Sequence, residues 1–185
     1  METGLGFHPL NSLPEVSLLY LGQLGAICFA QKRIKGLAMS NQDIASFLKQ
    51  QAGKEPFANL LGLKVIRIGT GYAKVQMQVD EKKLNIHGIT HGGSLFGLVD
   101  EAFELASNSH GTVAVALNMN ITFFAPTAVE DTLFAEAHEI KKTRKTATYQ
   151  IDVTNQAGEL VSRCQALVYR KSAPLPGLDG ANRET

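Results

Sequence analysis

The sequence predicts an α+β domain in which one antiparallel sheet wraps around a single long helix. Three observations predict it: a run of strand-like segments with alternating apolar residues, one segment with apolar residues at helical spacing, and short polar turns between consecutive strands. The helical segment carries Leu95, Leu98, Val99, Ala102, Phe103 and Ala106, a stripe that recurs every three or four residues, and Gly111 ends it. Its other face holds Gly93, Gly97, Asp100 and Glu104, and the two glycines there invite close approach by another backbone or a ligand.

The remaining elements follow in order. Ser40 and Asp43 form a capping-box pair ahead of Ile44, Phe47, Leu48 and Gln51, so a short helix occupies 39–56 and stops near Gly53. Leu63 to Ile68 and Ala73 to Val79 read as strands joined at Gly69-Thr70-Gly71; in the second, apolar and polar residues alternate strictly. After the long helix come four more strands, Thr112 to Phe124, Thr132 to Ile140, Ala147 to Val153 and Leu160 to Tyr169. Asn155-Gln156-Ala157-Gly158 makes the last hairpin turn. The main domain is therefore expected over 57–171, with a flexible Pro- and Gly-rich tail over 172–185.

Residues 1–38 differ from the rest. Val16 to Ala30 is mostly apolar, yet it is shorter than the roughly 20 residues that span a bilayer and contains Gly22, Gln23 and Gly25. Glu2 and Glu15 precede it and Lys32, Arg33 and Lys35 follow, the reverse of a secretory signal. A packed helix, a membrane-touching helix, or an extension outside the working protein that begins at Met39 all fit this segment.

Composition narrows the function. With 185 residues the chain reads as one domain plus an extension, and its 18 Lys and Arg against 17 Asp and Glu leave a net charge of +1, so no basic field for nucleic acid exists. The two cysteines, Cys28 and Cys164, exclude a disulfide scaffold and a four-cysteine zinc site, which makes a reducing cytoplasm the expected location.

Chemistry concentrates in Asn85-Ile86-His87-Gly88-Ile89-Thr90-His91-Gly92-Gly93, which leads into the helix that carries Asp100. A polar loop there delivers two glycines to a helix N-terminus, whose free N–H groups and positive dipole end suit an anion or a developing oxyanion. Glycine keeps side chains away, so a substrate carbonyl can reach the Gly92 N–H. Other arrangements fit less well. His87 and His91 are four apart, but Gly88 stands where a zinc-protease helix needs glutamate, so no metal is expected; Ser94 lacks the glycine that a nucleophile elbow requires at Phe96.

Asn85, His91-Gly92-Gly93 and Asp100 within LFGLVDEAFELASNSHG, followed by MNITFFAP and KTRKTATYQIDVTNQAGELV, resemble the hotdog-fold acyl-CoA thioesterases of the phenylacetic-acid-degradation type. The resemblance spans about Phe57 to Arg170. It implies that the Gly92 N–H and the Asn85 side chain polarise the thioester carbonyl, that His91 shapes the loop, and that Asp100 acts as base or nucleophile. It also implies a homodimer or dimer of dimers, with the site shared between subunits, and no cofactor beyond the CoA of the substrate. One position departs from the pattern: Ala116 stands where relatives carry a Ser or Thr hydroxyl near the attacking water. Asn118 and Asn120, expected on the same strand face, are the candidates to replace it. Gly93 and the basic run Lys142, Arg144 and Lys145 are candidates for CoA binding, with the Arg144 fork matched to phosphate. A non-catalytic acyl-CoA-binding protein is the alternative reading, and an enoyl-CoA hydratase ranks below it.

Overall fold

The computed structural model describes residues 40–178; the expectations for 1–38 lie outside the described residues. Helix α1 (Asn41–Ala52) begins at Ser40, whose Oγ accepts the Asp43 N–H while the Asp43 carboxylate accepts the Ser40 N–H, the reciprocal pair that the sequence predicts. A second short helix, α2 (Pro56–Leu61), was not expected. Proline at its first position needs no N–H partner, and Gly62 closes it at φ 67. Strands β1 (Lys64–Gly69) and β2 (Tyr72–Gln78) follow, then the long helix α3 (Gly92–Asn108). Strands β3 (Thr112–Phe123), β4 (Thr132–Lys142), β5 (Thr146–Thr154) and β6 (Leu160–Pro174) complete the chain.

All six strands form one antiparallel sheet in the order β1-β2-β4-β5-β6-β3, and α3 packs in its curl, the hotdog arrangement. Every member of the predicted α3 stripe is buried. It meets the inward residues of successive strands, among them Ala73, Val75 and Met77 of β2, Ala135 and Ala137 of β4, Ile151 and Val153 of β5, and Ala166 and Val168 of β6. Alanines on that face let the sheet close tightly over the helix, and Phe103 meets Tyr149 edge-on at 5.4 Å between ring centroids.

Two details of the packing bear on the site. Gly97, expected to admit a partner or a ligand, is approached by α2 of its own chain: a Cβ there would sit 2.5 Å from Leu61 Cδ1 and 3.0 Å from Phe57. The described part of the expected tail, 172–178, packs on the domain instead of extending free. Strand β6 continues to Pro174, paired with Thr112, and Leu175 and Leu178 are buried against the core.

Candidate active site

His91 is the N-cap of α3, and the way it caps decides which amide stays free. Its Nδ1 accepts the Gly93 N–H at 2.8 Å, which places the ring proton on Nε2, and its carbonyl accepts the Ser94 and Leu95 N–H groups at 2.9 and 3.2 Å. Gly93 is therefore committed to the cap, and a Cβ on it would crowd His91 Nδ1 at 3.0 Å. The Gly92 N–H has no acceptor among the described residues.

Asn85 sits across from it. Its Oδ1 accepts the His87 N–H at 2.8 Å in a tight local turn, so the carboxamide is fixed with Nδ2 carrying no partner among the described residues. Asn85 and Gly92 line one cleft of about 510 Å³, walled by Ile89, Leu95, Phe123, Phe124, Ala125, Pro126 and the buried Thr90 and Thr127. Among the described residues, no charged side chain lines the cleft. Two free N–H donors against apolar walls can hold an oxyanion.

Asp100 lines a different cleft, of about 270 Å³, with Phe103, Glu104, Ser107, Ala114, Val115 and Ala116. It lies eight residues beyond Gly92 on the same helix, about 12 Å along the axis at 1.5 Å per residue, too far for the two to act on one carbonyl within a chain. Asp100 is half-buried, and burial first and the Glu55 charge second raise its carboxyl above the ordinary carboxylate range, which makes it a better proton acceptor. Within one chain the two clefts are thus separate.

The structure corrects the expectation for Asn118 and Asn120. Ala116 pairs with Val168 and Asn118 with Leu167, so Leu117 is an extra residue that bulges from β3 and reverses the alternation. Ala116, Met119 and Ile121 oppose the buried Val168, Ala166 and Cys164, whereas Asn118 and Asn120 oppose Leu167 and the exposed Gln165 on the outer face. The two asparagines therefore point away from the cleft that Asp100 and Ala116 line.

In the basic run, Lys142 Nζ lies 3.0 Å from His110 Nδ1, and Lys145 Nζ donates to the Tyr169 hydroxyl at 3.1 Å. Arg144, in the turn between β4 and β5, makes no hydrogen bond or ion pair among the described residues. Sequence reasoning also passed over Glu101, which is only 5% exposed on the α3 face toward α1 and α2. Burial, then the charge and hydrogen bond of Glu55, push its carboxyl up to about 8. It holds a proton in the fold that the unfolded chain releases at the ordinary carboxylate pKa, so stability is full below that value and falls as pH rises through about 8. Glu101→Gln removes this loss, and its melting temperature should diverge upward from the parent's between pH 5 and 9, by the equivalent of a few kcal/mol at most. Parallel melting curves would contradict this.

The thioesterase superfamily model matches residues 87–162, which hold the α3 N-terminus, Asp100 and strands β3 to β5. A putative esterase of Archaeoglobus fulgidus is 35% identical over 80% of this chain and 97% of its own length. This chain belongs to the thioesterase superfamily. Within the superfamily it is similar to the acyl-coenzyme A thioesterase PaaI of Escherichia coli, at 37% identity over 65% of this chain and 86% of that protein. The solved E. coli PaaI protein, from the phenylacetic acid degradation operon, superposes with a TM-score of 0.67 over 72% of this chain and 97% of that one, at 32% identity. A hypothetical thioesterase of Streptococcus pneumoniae, solved with coenzyme A, gives a TM-score of 0.58 and 26% identity over 60% of this chain and 90% of that chain.

Proposed function

We propose that this thioesterase-superfamily protein hydrolyses acyl-CoA thioesters to a free carboxylic acid and CoA. The observation that carries the reading is that two donors without partners among the described residues, Gly92 N–H and Asn85 Nδ2, belong to residues lining one largely apolar cleft. The acyl group lies along Phe123, Phe124 and Pro126, and the carbonyl oxygen takes the two N–H donors as negative charge builds on it. Asp100 of a second copy takes a proton from the water that attacks the carbonyl, and that proton passes to the CoA sulfur as the C–S bond breaks. In the other route the Asp100 carboxylate attacks the carbonyl, CoA leaves as thiolate, and water then hydrolyses the acyl–Asp100 anhydride to the free acid, supplying the proton that the thiolate takes up. Water, one carboxylate and two hydrogen-bond donors suffice for this step, with no metal or redox cofactor. The acyl-coenzyme A thioesterase of E. coli and the coenzyme A in the S. pneumoniae structure support the substrate class.

The reading requires a homodimer, because each chain holds the Gly92 and Asp100 clefts apart. Strand β3 is a sheet edge, and it exposes Val115 and Leu117 at 39% and 58%. An apolar, unpaired edge is a template for a second strand. Pairing β3 with its copy about a two-fold axis turns the two α3 helices antiparallel and brings the Asn85 and Gly92 end of one protomer toward the Asp100 cleft of the other. Arg144 has its guanidinium free for a CoA phosphate. The assay is thiol release from a panel of aromatic, medium-chain and long-chain acyl-CoAs. Turnover of at least one apolar member is expected; binding of every member without thiol release would leave the non-catalytic binding reading instead.

A further inference from the structure

Thr90 and Thr127 lie 37 residues apart in sequence, each 5% exposed, and face one another in the wall of the Asn85 and Gly92 cleft. The Thr127 hydroxyl donates to Thr90 Oγ1 at 2.6 Å. The Thr90 hydroxyl donates to the Thr127 carbonyl at 3.2 Å, and the Thr90 N–H donates to the same carbonyl at 2.8 Å. Both hydroxyl protons are therefore used within the pair. Thr90 stands two residues before Gly92 and closes the loop that carries Asn85, while Thr127 ends the apolar wall that begins at Phe123. The loop's other hydrogen bonds are local: Asn85 N–H to the Ile89 carbonyl, Gly88 N–H to the Asn85 carbonyl, and the two amides on Asn85 Oδ1. Among the described residues, only Thr90 ties the 85–90 loop to the 123–127 wall.

We propose that the Thr90–Thr127 hydroxyl pair is a positioning clasp that fixes the two oxyanion donors against the acyl-binding wall. It rests on the function proposed above and adds the residues that hold that site in register. Oxyanion donors act within a few tenths of an ångström of their optimum, and a displacement of about 1 Å can cost 10²-fold in rate. Buried hydroxyls suit such a role, because a fully satisfied pair is rigid and leaves no dangling donor to compete for the carbonyl.

The variants separate positioning from ordinary stability. Thr90→Val keeps the shape but leaves the Thr127 hydroxyl buried without its acceptor, so both melting temperature and kcat should fall. Thr90→Val with Thr127→Val removes the orphan, and replacing both partners by apolar groups is close to neutral for stability. In that double variant the melting temperature should recover while kcat stays down about tenfold or more with KM within about threefold, because the two hydroxyl bonds are gone and the Thr90 N–H bond to the Thr127 carbonyl alone still ties the loop to the wall among the described residues. Thr90→Ser, which retains the hydroxyl, should recover most of the rate. Hydrogen exchange of the 85–93 amides, read by mass spectrometry on the same proteins, should speed up in the double variant. The clasp is overturned if the double variant turns over at the parent's rate, or exchanges its 85–93 amides no faster than the parent. If the parent itself releases no thiol from any acyl-CoA, the hydrolytic function fails, and the exchange rates alone decide the clasp.

Discussion

Asp100→Asn is expected to lower kcat on the best acyl-CoA by about 10³-fold or more, about 4 kcal/mol of transition-state stabilisation, while the protein keeps its fold and its melting temperature. The amide matches the carboxylate in shape, so packing around Phe103 and Ala116 is undisturbed. Removing the charge also relieves repulsion with Glu55, whose presence raises the Asp100 carboxyl after burial does. A carboxylate that must be ionised to act gives an acid limb in the pH profile of kcat/KM. That limb should sit above the ordinary carboxylate range and move to lower pH in Glu55→Gln, since one of the two causes that raise it is gone. An Asp100→Asn protein that turns over normally would remove Asp100 from the chemistry.

Asn85→Asp is expected to cost about 10²- to 10³-fold in kcat. The substitution keeps Oδ1, and with it the bond from the His87 N–H that shapes the loop, but it replaces the free Nδ2 donor by an oxygen. A negative charge then faces the developing oxyanion where a donor stood, so transition-state binding suffers more than ground-state binding, and KM should change little. Asn85→Ala is a poorer probe because it also unties the turn.

How much of this was legible in the sequence follows from which contacts are local. The buried stripe from Leu95 to Ala106 and the Ser40 and Asp43 cap were readable because helical period and capping act within a few residues. The six strands were readable from alternation, and their order emerges only from pairing. Helix α2 was missed because six residues cannot show a period; Pro56 and Gly62 were the signals available. The bulge at Leu117 depends on the register against β6, which no spacing in β3 reveals, and it moved Asn118 and Asn120 to the outer face. Strand β6 ran past Tyr169 to Pro174 because β3 offered it a partner. At the candidate site, the motif supplied the candidates and the resemblance singled out the Gly92 amide, yet neither showed what occupies the Gly93 amide. That His91 takes the Gly93 amide and leaves the Gly92 amide free is a matter of cap geometry. The Thr90 and Thr127 pair, like the proton held by Glu101, arises from tertiary neighbours far apart in the chain.

In the proposed dimer, one catalytic site draws its oxyanion donors from one protomer and its carboxylate from the other. This arrangement is tested most directly by mixing the Asp100→Asn and Asn85→Asp chains, each nearly inactive alone, and letting subunits exchange or form together by co-expression. With random pairing half of the dimers are mixed and each holds one site with both native groups, so activity should return to about a quarter of the parent's. If each site is built within a single chain, no mixed dimer contains an intact one, and activity that stays at the level of the two separate variants contradicts the account.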